Sequence, residues 1–302
     1  MTTRFPICVA SLLVACAAEA GQVHLPITTD AYVDSRSSNT GRNYGAATTV
    51  KTTISSTDGS VTRGLLQLPP EIALYDTGQI TRATVVFYVW QDNTEDRNVT
   101  LYPLARSFVE GTGNGAAPAD GATWQTYDGT NAWTTPGGDF DTNFPIAAVK
   151  GPILDEDLHD RFFTWDITPL LTNETARTAL MNYGALLQID EVPLPSSGTP
   201  RAPFTSSDDP AYDAAYRPHL ELVVIPRTAA VAVATLDAGA NAITLALTNC
   251  TPFITNRIER SFNLAQPDGW TLVTNLVTTG NATNWSASLE NWTNACYRIV
   301  GE

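Results

Sequence analysis

TRATVVFYVW, residues 81–90, alternates Ala83, Val85, Phe87 and Val89 with Thr84, Val86, Tyr88 and Trp90. β-Branched and aromatic residues favour a pleated strand. Both alternating sets are largely apolar, which suits a central strand in a two-layer sandwich. Residues 98–104 read as its hairpin partner. Earlier strands are expected at 29–33, 48–54 and 63–68, and later ones at 162–167, 185–189, 204–206 and 219–225. Thr168-Pro169 reads as an N-cap with proline at the first helical position, opening a short helix through about Leu180. Many short strands with one brief helix predict an all-β jelly-roll sandwich.

Composition changes after Pro226. Residues 228–240 are nearly all Ala, Val, Thr and Gly and read as a linker plus one strand. Further strands are expected at 254–262, 270–276 and 295–300. The expected organisation is a jelly-roll domain at 21–226 and a small C-terminal β module at 227–302. No long-period repeat is visible.

Residues 1–20 read as an export signal, with Arg4 as their first charge and an apolar run from Phe5 to Ala18 broken by Ser11. Ala18-Glu19-Ala20 offers a cut before Gly21. Leu13-Val14-Ala15-Cys16 resembles a lipobox, whose cysteine would carry a lipid anchor at the envelope. No later segment is long and apolar enough to cross a membrane. The 17 Lys+Arg against 31 Asp+Glu give a net charge of -14, a field that repels nucleic acid and anionic lipid. Of the 4 Cys, Cys8 and Cys16 lie in the signal, so an exported chain is expected to join Cys250 to Cys296.

Several strings in this order resemble the DNRLRE-type domain, the group of disaggregatase-related and alginate-binding carbohydrate modules. They are DAYV at 30–33, NYG at 43–45, RGLLQL at 63–68, EGTG at 110–113 and DGATW at 120–124. To these add WTTPGGDF at 133–140, WDIT at 165–168, FTSS at 204–207 and RP at 217–218. The name-giving DNRLRE string is absent. The resemblance implies a jelly roll with an accessory extracellular role and, for some members, glycan binding. The end of the chain is similar to short β modules of bacterial surface proteins.

Catalytic signatures are missing. His24, His159 and His219 stand in no metal-binding spacing, and no nucleophile or phosphate-loop motif occurs. Asp120, Asp128, Asp139 and Asp141 offer carboxylates for a glycosidase pair, although turn formation is the ordinary use of Asp in a Gly-rich loop. Binding has more material. Residues 110–144 mix Gly, Asp, Asn and Thr with Trp124, Tyr127, Trp133, Phe140 and Phe144, and long loops of this kind tend to be functional. Sugar rings stack on aromatic planes while their hydroxyls need fixed polar partners. Trp124, Trp133 and Asp139 are therefore the expected polysaccharide contacts, against the alternative that both indoles cap the core. Asp30 and Asp34 share one face of a strand, and with Glu221 they are the expected ligands of a structural calcium, against the alternative of solvated carboxylates. Arg63 and Arg217 are expected in structural ion pairs.

Two functions follow as expectations: a secreted, non-catalytic carbohydrate-binding protein, or a structural or adhesive surface protein without sugar binding. Mass spectrometry of exported protein should find a chain starting at Gly21, or lipid on Cys16; a retained Met1 contradicts export.

Overall fold

The computed structural model describes residues 20–94, 97–115, 120–157, 159–192, 199–226, 230–237, 242–261, 269–288 and 296–301. The expected signal at 1–20, apart from Ala20, therefore lies outside the described residues, as do Cys8 and Cys16. The fold is an all-β sandwich, and its described residues fall in two compact units: those within 24–72 and 82–222, and those within 20–23, 73–81 and 223–301. No helix among the described residues is long and apolar enough to cross a membrane.

The strands wholly or partly in the larger unit begin with β1 (Gly21–Pro26), β2 (Asp30–Asp34), β3 (Thr49–Ile54) and β4 (Val61–Leu66). β5 (Ile80–Val89), β6 (Val99–Pro103), β7 (Ile146–Ala147), β8 (Val149–Lys150) and β9 (Arg161–Asp166) follow. After helices α1 (Thr168–Thr172) and α2 (Glu174–Tyr183) come β10 (Ala185–Ile189), β11 (Arg201–Thr205) and β12 (His219–Val224). Their order is β1-β12-β5-β11-β3-β4-β10-β6-β7, with β2 on β4, and β9 between β5 and β8.

β5 is central, as its two apolar faces require, but residues 98–104 are not its hairpin partner. β6 pairs instead with β10 and β7, and β5 pairs with β9 through Val85↔Trp165 and Phe87↔Phe163. The odd-numbered side chains explain the exchange. Phe87, Phe163, Trp165 and Phe204 form one buried edge-to-face cluster, with centroids 5.5–6.3 Å apart. The Trp165 indole N–H donates to the Val99 carbonyl of β6 at 3.0 Å. β6 thus faces β9 across the sandwich rather than lying beside β5.

The expected single helix is two. Asp166 accepts from the Thr168 amide and hydroxyl, so Thr168 is not the cap; Pro169 holds the first turn. Asn173 then breaks the helix with an extended backbone, and its side chain accepts from the Ala176 amide to restart it as α2.

In the smaller unit, β13 (Ala230–Asp237), β14 (Ala242–Thr248), β15 (Thr255–Ser261), β16 (Thr271–Val277), β17 (Ala282–Ser288) and β18 (Cys296–Gly301) form two sheets, β13-β14-β17 and β16-β15-β18. Ile243, Leu245 and Leu247 of β14 bury against Ile258 of β15. Tyr75 donates to the Pro252 carbonyl at 2.8 Å. Cys250 ends in this core as a free, buried thiol, and burial pushes its pKa up, so that the thiol stays protonated. The expected bridge to Cys296 is not made at Cys250. Cys296 lies opposite Ser261, at the end of β15 remote from the turn that holds Cys250. A strand of this length separates its ends by about 20 Å, whereas a disulfide needs Cα atoms within about 7 Å. The Cys296 side chain lies outside the described residues.

Inside the larger unit, the motif strings converge on Asn43, which is fully buried. Its amide donates to the Glu110 and Ala122 carbonyls at 2.6 and 3.0 Å and accepts from the Gly45 and Gly113 amides. A Cβ at Gly45 would sit 2.1 Å from the Glu110 carbonyl oxygen, so that position requires glycine. Glu110 accepts in turn from the Asp30 amide at 2.7 Å. Burial raises both acids, Asp30 to about 6 and Glu110 to about 7. The folded state therefore holds their protons more tightly than the unfolded chain. The stability this contributes is complete below the unfolded carboxylate range near pH 4 and is lost as pH rises through about 6 to 7. Glu110→Gln should flatten the fall in melting temperature between about pH 5 and 7.5; a slope equal to that of the parent protein would refute this assignment.

Candidate functional site

The loop of residues 110–144 forms a packed cover. Trp133 is only 4% exposed, lies among Leu104, Phe108, Ala122 and Leu186, and donates its indole N–H to the Thr123 carbonyl at 2.9 Å. A ring held this way offers no face to a sugar. Trp124 is half-buried, with the Arg63 guanidinium 5.0 Å from its ring and Gly137 against its edge. Asp139 accepts from the Thr134 and Thr135 amides at 2.9 and 2.8 Å and faces Arg106 at 3.5 Å. All three expected contacts thus brace the loop from within. Asp120 does the same work: the hydroxyl and amide of Thr112 hold its carboxyl below the usual range. Asp128 and Asp141 likewise accept from amides two or three residues on. Arg63 meets its expectation, with a bidentate pair to Glu191 at 2.7 and 2.8 Å. Arg217 instead donates to the Tyr212 carbonyl at 3.1 Å.

The expected calcium ligands do not converge. Asp30 is buried and accepts from the Ser206 hydroxyl and the Ser207 amide. Asp34 accepts from the Arg36 amide and the Asn39 side chain. Four residues of strand put these carboxylates about 13 Å apart, while ligands of one calcium lie within about 5 Å of each other. Glu221 stands elsewhere, beside His24 and His219.

That position opens onto a cleft of about 790 Å³ within the larger unit. Its floor follows from the interior. With the odd-numbered residues of β5 and β9 turned inward, the even-numbered ones face out, and Val86, Phe162 and Thr164 line the cleft. β12 contributes His219 and Glu221, β1 contributes His24 and Pro26, and the segment after β11 contributes Ser207 and Arg217. An aromatic group borders it. Tyr216, 38% exposed, lies nearly parallel to Phe162, at 14° and 6.0 Å. Tyr88 meets the edge of Tyr216 at 4.8 Å and packs against Phe162 and Tyr212. Tyr88 also donates a short hydrogen bond to Asp160; burial first, and this bond second, keep its phenol protonated. The arrangement combines an exposed, anchored ring with a carboxylate, two imidazoles and a guanidinium. Sequence reasoning missed it because residues 21–26 were not read as a strand, although Val23, Leu25 and Ile27 alternate there and are buried.

No protein-family model matches the chain, and no curated protein matches it.

Trp133→Ala removes a buried ring and its hydrogen bond, and should cost about 3–5 kcal/mol of stability. Urea unfolding monitored by far-ultraviolet circular dichroism measures this; a loss below about 1 kcal/mol, within the range of surface substitutions, would contradict the capping role.

Proposed function

We propose that the protein is an exported, non-catalytic glycan-binding protein, and that the cleft between β1, β12, β5 and β9 receives the sugar. The aromatic pair Phe162–Tyr216 carries this reading. An exposed ring fixed by neighbouring rings presents a flat apolar face at little cost in side-chain entropy. The hydroxyls of a stacked sugar would then reach Glu221, Arg217 and His219, which line the same cleft. Strand residues supply most of these groups, and sites on strands hold their geometry better than sites on loops. The resemblance of the motif strings to carbohydrate modules points the same way. The net charge of -14 favours neutral glycans over anionic ones. Glu221 alone, without a facing carboxylate among the residues lining the cleft, is not the pair that glycoside hydrolysis employs.

Affinity electrophoresis against neutral cell-wall and storage polysaccharides tests the proposal. At least one glycan should retard the protein. Tyr216→Ala should weaken that binding by about 10- to 100-fold, in line with loss of one stacking ring. The protein should stay folded with only a modest fall in melting temperature, because Tyr216 is 38% exposed and packs only at the surface on Tyr88, Phe162 and Tyr212. Migration unchanged by every glycan would favour the structural or adhesive reading instead.

A further inference from the structure

We infer that His24, His219 and Glu221 form a binding site for one late first-row divalent metal ion of the zinc class. The nitrogen and carboxylate atoms that could bind it all lie within 4.8 Å of one another. His219 Nε2 is 3.6 Å and His24 Nδ1 3.9 Å from the same Glu221 oxygen. Zinc bonds of about 2.0–2.1 Å in a tetrahedron separate neighbouring ligand atoms by about 3.4 Å. The cluster is therefore slightly open. The side chain able to close it is His24, which is 60% exposed and free to turn inward.

Two further features point to a metal rather than to a casual ion pair. His219 Nδ1 lies 2.8 Å from the Arg217 carbonyl oxygen. A carbonyl can only accept, so Nδ1 carries a proton and Nε2 is the ring nitrogen left to bind a metal beside Glu221. Fixing the second ring nitrogen on a backbone carbonyl is the outer-shell support that metal-bound imidazoles use. The backbone also aligns the ligands. His219 and Glu221 are two residues apart on β12 and share a face, and β1, which carries His24, is the neighbouring strand. Two imidazoles and one carboxylate suit zinc and its neighbours, whereas calcium takes oxygen ligands. The fourth position would open into the cleft. The site shares His219 and Glu221 with the proposed sugar cleft, but its test involves no glycan, so failure of one reading is distinguishable from failure of the other.

Isothermal titration of zinc chloride into untagged, chelator-stripped protein, without glycan, provides the test. One ion should bind per chain. His24→Ala and His219→Ala should each weaken binding at least tenfold, and Glu221→Gln should weaken it less. His159→Ala, at an exposed histidine elsewhere, should leave it unchanged. Zinc should raise the melting temperature of the parent protein and not of His24→Ala, whose exposed side chain is dispensable for folding. Absence of stoichiometric binding, or equal affinity in His24→Ala and the parent, would overturn the inference.

Discussion

A buried indole N–H, donated by Trp165 across the sandwich to the Val99 carbonyl, is the constraint on which the larger unit turns. A side chain that large, fully buried among Phe87, Phe163 and Phe204, leaves its strand no freedom of register. In a strand a slip by one residue exchanges the faces, so placing Trp165 inside places Phe162 and Thr164 outside. The same holds for β5, where Phe87 inside means Val86 and Tyr88 outside. The chemistry displayed at the cleft is therefore set by packing on its opposite side.

A second constraint acts at the loops. Asn43 satisfies backbone groups from two distant segments, and Gly45 lets the Glu110 carbonyl approach where no side chain would fit. This explains why so many motif residues are polar yet unavailable to a ligand. Asp30, Asn43, Glu110, Asp120 and Asp139 spend their hydrogen-bonding capacity on amides of the chain itself. Long connections rich in turns need such internal partners, because buried backbone groups otherwise go unpaired.

Much of the fold was legible because strands announce themselves locally. Residues 185–189 appear as a strand with unchanged bounds, and 48–54 and 219–225 each differ by one residue. Pairing was less legible: alternation places a side chain in or out but does not choose the neighbouring strand, so β6 was assigned to the wrong partner. The site was largely illegible. Its two histidines belong to strands far apart in sequence, and no spacing rule links them. The signal that could have helped was the alternation at residues 21–27, obscured by Pro26 and by the apolar run of residues 5–18 just before it. Trp124 and Trp133 read as a binding surface because aromatic residues in a Gly-rich loop resemble one, and composition does not distinguish a ring that faces solvent from one that seals a core.

The adjacency of β1 and β12 also governs the order in which the molecule can be made. His24 and His219 are separated by roughly 195 residues, and closing so long a segment carries an entropic cost that only contacts formed afterwards can offset. A growing chain holds the β1 edge of the cleft from its first strand onward, yet cannot complete the cleft until the last strand of the unit has emerged. Any ligand that needs both edges thereby reports a correctly closed larger unit, and chains truncated before β12 would not compete for it.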